Sequence, residues 1–151
     1  VKTLKQAISL NENYEPARCD LAEVYLITGQ DEQGYKELDK CLALGGANNL
    51  SYSSTIKKAI NHYIEKGDIQ TVEKLYQRLS QVERKNPQVW IKMAKLYYQL
   101  GKVDQAKQAA QKAAQIKPEL KGDLQSFIKE LENASPTPQK TTTTIDISPG
   151  R

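Results

Sequence analysis

Histidine, methionine, tryptophan and phenylalanine each occur once in 151 residues, and cysteine twice. That scarcity excludes several kinds of chemistry. A metal site needs several converging His, Cys or carboxylate ligands, and His62 has no second histidine or nearby cysteine in sequence to join it. It reads as a surface or groove histidine. Cys19 and Cys41 stand 22 residues apart, far from a CxxC spacing. Cys41 reads as a small packing residue and Cys19 as a groove-facing one. Whether the two pair stays open. Two cysteines without a motif lean weakly towards a reducing compartment. A glycine-rich phosphate loop and a serine nucleophile elbow are both missing. Neither a cofactor nor a metal is expected. The carboxylate pairs Glu37/Asp39 and Glu130/Glu132 point different ways on predicted helices and read as solvated charge.

Long apolar runs are lacking too. None reaches the ~18 residues of a membrane span, so no membrane contact is expected of this fragment. No signal peptide is visible. The charge excess is small, +4 from 22 Lys+Arg against 18 Asp+Glu. Nucleic-acid binding usually comes with a larger excess and a reading module, so no nucleic-acid partner is expected. The chain opens on Val1 without an initiator Met, and it reads as a piece of a longer protein. Its compartment is not given by the sequence. A cytoplasmic place is slightly favoured for the fragment, and a membrane-attached parent stays open.

What is present is a pattern. In Pro87 to Leu120, Trp90, Met93, Ala94 and Tyr97 fall on one face of a helix. Gly101 interrupts the pattern. Ala106, Ala110 and Ala113 then mark a second helix, and Pro118 closes the unit. Small alanines let the two helices lie close, and Trp90 and Tyr97 fill the space around them. Gly67 precedes Gly101 by 34 residues, and that shift brings Ile56, Ala59, Ile60 and Tyr63 onto the same face. Gly29 precedes Gly67 by 38, bringing Leu21, Ala22 and Tyr25 into line. Gly34, Leu38 and Cys41 then match Val72, Tyr76 and Leu79, which match Ala106, Ala110 and Ala113. The four surplus residues are assigned to the turn-forming cluster Gly45-Gly46-Ala47-Asn48.

This order of Trp, large apolar, small, Tyr, Gly, Ala, Ala and Pro, repeating near 34 residues, resembles the tetratricopeptide repeat family. The copy at Pro87 differs in carrying Met93-Ala94 where Leu-Gly is frequent, and Ala110 where an aromatic is common. The resemblance implies an all-α fold, a right-handed superhelical solenoid of antiparallel helix pairs. Residues 1–14 are then the second helix of a truncated repeat. Full repeats follow at 15–48, 53–86 and 87–120. Residues 121–133 form a capping helix with a Leu120, Leu124, Phe127, Ile128 and Leu131 stripe. Residues 134–151 form a disordered tail rich in Ser, Thr and Pro. Asp31, Asp68 and Asp123 are read as helix caps.

The resemblance also implies a function. First helices of successive repeats line a concave groove that holds a peptide or partner segment. Carried over by register, the groove residues are Asp20, Glu23, Lys57, Lys58, Asn61, Lys92, Lys95 and Gln99, together with Cys19, Ile27, Glu65 and Ile91. Lys57 and Asn61 match part of the clamp by which some members hold a chaperone carboxyl terminus. Lys92 stands where that clamp needs Asn, so the match fails there. Four groove lysines favour an acidic ligand. The expectation is a protein–protein interaction scaffold with no catalysis of its own. Two alternatives stay open. One is the carboxyl-terminal appendage of a larger bacterial membrane enzyme resembling an O-antigen ligase or polymerase. The other is self-association through the amino end.

Overall fold

A computed structural model of the chain describes residues 1–45 and 49–133. Among these residues there are eight α-helices, one short 3-10 turn and no strand. The helices are α1 (Lys2–Leu10), α2 (Glu15–Ile27), α3 (Asp31–Gly45), α4 (Leu50–Glu65), α5 (Ile69–Val82), α6 (Pro87–Gln99), α7 (Val103–Ile116) and α8 (Lys121–Asn133). The all-α class and the helix pairing read from the sequence are what is found. The expected tail, 134–151, lies outside the described residues.

The turn inside each pair is the same structure three times. Gly29, Gly67 and Gly101 take φ of 76°, 73° and 72°, the left-handed region where a Cβ is penalised. The amide after each glycine donates to a tyrosine carbonyl five residues back. The pairs are Gln30 to Tyr25 at 2.8 Å, Asp68 to Tyr63 at 2.9 Å and Lys102 to Tyr97 at 2.8 Å. Each glycine amide donates three residues back, to Leu26, Ile64 and Tyr98. This double bond is the Schellman arrangement, and it satisfies carbonyls that the helix end would otherwise orphan.

Two compact units divide the chain, Val1–Val82 and a second beginning at Glu83. In the first, α2 packs on α1, α3 and α4, and α4 packs on α3 and α5. Leu26, Leu38, Ile56, Ile60, Leu75 and Leu79 are fully buried between them. Gly34 is a contact point, since a Cβ there would lie 2.6 Å from Leu26 Cγ. In the second unit, α6 packs on α7 and α7 on α8. Ala106, Ala109, Ala110 and Ala113 form the buried seam of α7. Trp90 is only half-buried, and its indole N–H donates to the Arg84 carbonyl at 3.0 Å. Leu96, absent from the expected face, is 1% exposed instead.

The four surplus residues do not sit in the turn where they were expected. Connections of four residues separate α1 from α2, α3 from α4 and α5 from α6. The extra length is helix: α3 is one residue longer than α5, and α4 is three longer than α6. Asn49 makes this possible. Its carbonyl oxygen Oδ1 accepts from the Tyr52 amide at 2.7 Å, capping α4, and its Nδ2 donates to the Cys41 carbonyl at 2.7 Å. The added turn brings Tyr52 into the core with no exposed surface.

Candidate functional site

Among the described residues, side chains of Ser51, Thr55, Lys58, Tyr63 and Arg78 tie the second helix pair to the first. They connect residues 32 to 39 apart in sequence, because equivalent positions of neighbouring repeats lie side by side. Ser51 Oγ meets Glu15 at 3.5 Å, and Thr55 Oγ1 meets the Cys19 carbonyl at 3.4 Å. Lys58 Nζ donates to Glu23 at 2.9 Å. The Tyr63 hydroxyl donates to the Asp31 carboxylate and lies 2.9 Å from the Leu26 carbonyl oxygen. Arg78 donates to Asp39 at 2.6 Å and lies 4.9 Å from the centre of the Tyr35 ring. Burial and the Asp31 carboxylate push the Tyr63 phenol well above its usual range. Burial raises Tyr35 and Tyr52 as well.

The ties between first helices touch the register-derived groove directly. On α2, Asp20 is exposed and Glu23 half-buried. On α4, Lys58 and Asn61 are exposed and Lys57 half-buried. Glu23 and Lys58 are thus neighbours whose charges meet each other. The hydrogen bond it donates to Glu23 raises the Lys58 ammonium above its usual value. In the second unit, α6 carries Lys92 and Lys95 half-buried and Gln99 exposed. Further out, Ile27 is exposed and Ile91 half-buried, while Glu65 is exposed.

Cys19 departs from its expected place. It is 1% exposed, so it faces the interior rather than the groove, and it is joined to Cys41 in a disulfide with Cα atoms 5.2 Å apart. Cys41 is therefore not a free packing residue. A signal for this lay in the numbering. The two cysteines fall almost symmetrically about Gly29-Gln30, which places them opposite one another in a hairpin that turns there. Glu15 Oε1 lies 3.3 Å from Cys19 Sγ, and ligand atoms of Glu15, Cys19 and Cys41 fall within 4.8 Å of one another. With both sulfurs committed to the S–S bond, only the carboxylate is left as a strong metal ligand.

Other expectations also change. Glu37 is not simply solvated. Its side chain is 12% exposed and bridges Arg18 at 2.9 Å and Lys40 at 2.8 Å. Burial works to raise its pKa, but the hydrogen bonds from Lys40 and Arg18 hold it below the usual carboxylate range. Asp68 and Asp31 are not equivalent. Asp68 precedes α5 and accepts from the Thr71 amide at 3.1 Å and the Thr71 hydroxyl at 2.8 Å, which depress its pKa. Asp31 lies inside the first turn of α3, and Asp123 inside that of α8. His62 is half-buried beside the Tyr63 ring, 5.4 Å between centroids and edge-on, with Nε2 buried and unpartnered.

Within the second unit, α8 buries Leu124 and Leu131, and Phe127 stands edge-on to Tyr98 at 5.9 Å. An open groove of about 540 Å³ runs between α7 and α8, lined by Gln111, Ala114, Gln115, Leu124, Gln125 and Ile128 among others. No helix among the described residues is long and apolar enough to cross a membrane. Residues 63–129 match the family model described as tetratricopeptide repeat. No curated protein matches the chain.

Proposed function

We propose, for a chain whose residues 63–129 match the tetratricopeptide repeat family model, a protein–protein interaction module with no catalysis of its own. Repeats of this family are generally protein-interaction modules, and fold alone does not name the partner. The reading places a peptide or partner segment on the first helices of the pairs. In the first unit the contact residues are Asp20, Glu23, Lys57, Lys58 and Asn61. In the second they are Lys92, Lys95 and Gln99.

The observation that carries this reading is the chemistry of those faces. They are polar, with Asp20, Lys58, Asn61 and Gln99 exposed, while the opposite faces of the same helices are buried. The Lys58–Glu23 pair qualifies the preference for an acidic ligand. An incoming carboxylate has to displace Glu23, and an exposed ion pair of this kind is worth roughly 0–1 kcal/mol, so the exchange is nearly neutral. A mixed-charge segment that meets Glu23 and Lys58 together suits the first unit better. In the second unit the positive charge of Lys92 and Lys95 suits an acidic segment.

The test is selection of binding peptides from a displayed random library, followed by backbone NMR of the chain with the best binder. Shifts concentrated on α2, α4 or α6 are expected, with binding weakened when Lys57, Lys58, Lys92 and Lys95 are reversed to Glu. Shifts confined to α3, α5 and α7, or binders indifferent to the reversal, would overturn the assigned face.

A further inference from the structure

The disulfide has a consequence for where this protein works. We infer that Cys19–Cys41 is a constitutive structural bond formed in an oxidising compartment, and that the chain functions on the oxidising side of a membrane. The two residues are the only cysteines in the sequence. Within this sequence they allow one intramolecular pairing. Both side chains are buried, at 1% and 0% exposure. The Cα separation of 5.2 Å lies within the range that a disulfide spans without moving the backbone.

Chemistry around the pair argues for a staple rather than a redox sensor. Sensor and exchange cysteines are exposed and sit in electropositive surroundings that favour the thiolate. Here the sulfurs are covered, and the nearest ionisable group, the Glu15 carboxylate at 3.3 Å, opposes negative charge on Cys19. The bond joins α2 to α3, and Asn49 carries the link onward by donating to the Cys41 carbonyl while capping α4. Three helices are thereby tied at one place.

The oxidation is a two-electron step. The two thiols lose two protons and two electrons as the S–S bond forms. The acceptor is the disulfide of a thiol–disulfide oxidase, which departs as a dithiol. Because the closed hairpin covers both sulfurs, this exchange takes place while α2 and α3 are still apart. Afterwards, small thiols reach the bond only through opening of the hairpin. Such bonds persist in oxidising compartments and are rare where glutathione and thioredoxin keep thiols reduced.

The test uses the protein in its source cells. Cells are quenched in acid, free thiols blocked with a light maleimide, disulfides reduced, and the new thiols labelled with a heavy one. Trypsin separates the two sites, because Arg18 and Lys40 immediately precede the cysteines. Heavy label on most copies of both peptides is the expected result. Light label on most copies of either would overturn the inference. A second measurement addresses the buried state itself. Purified chain in millimolar glutathione is expected to lose the bond roughly tenfold more slowly when native than in urea. Equal rates would show that the hairpin does not shield it.

Discussion

At the scale of the residue, small changes have costs that the register alone does not reveal. Gly34 occupies a helical position where alanine normally gains about 1 kcal/mol. Its Cβ would meet Leu26 Cγ at 2.6 Å in a packed core, and overpacking costs about 1–3 kcal/mol. Gly34→Ala is therefore expected to lower stability by about 1 kcal/mol in urea unfolding, and a stabilised variant would mean that Leu26 has room to move. Asp68 holds the first turn of α5 through Thr71. Replacing it with Ala removes a cap worth about 1 kcal/mol. Asp31 and Asp68 look alike in sequence, yet they differ by one place relative to their glycines, and that single step moves Asp31 from the cap to the Tyr63 hydroxyl. The three tyrosines at the ends of the first helices were legible as a repeated face. Their role in closing the glycine turn was not, since that role belongs to their backbone carbonyls.

Elements have their own vulnerabilities. Of the nine residues in α1 only Ile8 is buried, with Leu4 and Ala7 partly covered against Ala17, Leu21 and Tyr25. Amide exchange across Leu4–Ile8 is expected to be the fastest of any helix in the first unit, and protection equal to that of α4 would contradict this. Acid acts on the joint between α2 and α3. Glu37 has a depressed folded pKa, so its contribution is present above its unfolded value and is lost as pH falls through the folded one. Asp68 obeys the same sign. Stability of the first unit should therefore decline as pH falls below about 4.5, and Glu37→Gln should flatten that decline in a pH series of melts. The helix pairs themselves were readable because apolar spacing is local and each pair ends in a glycine. The ion pairs were not, because partners such as Asp39 and Arg78 lie a whole repeat apart and are chosen by packing.

For the molecule as a whole, the two compact units differ in their covalent state. The first contains the disulfide and the second has no cysteine. Closing a loop of 22 residues restricts the unfolded chain by about 3 kcal/mol. Reduction should lower hydrogen-exchange protection in Val1–Val82 by that order and leave the residues from Glu83 onward unchanged. Equal loss in both units would mean that they unfold as one. The all-α class was visible in the 34-residue spacing. The staple showed only as the near-symmetric placement of Cys19 and Cys41 about Gly29-Gln30, because pairing also depends on which faces of two helices meet.

The surplus residues between the first and second pairs are structural. Set beside the 34-residue spacing, four residues are extra, and extra length is ordinarily tolerated at exposed loop tips. Here they lengthened two helices, placed Asn49 as a joint and put Tyr52 at the centre of the core. Neighbouring side chains now depend on them. Excising them would open a void where Tyr52 lies and remove the cap of α4. The longer spacing is thus built into the core of the first unit and is not a removable loop.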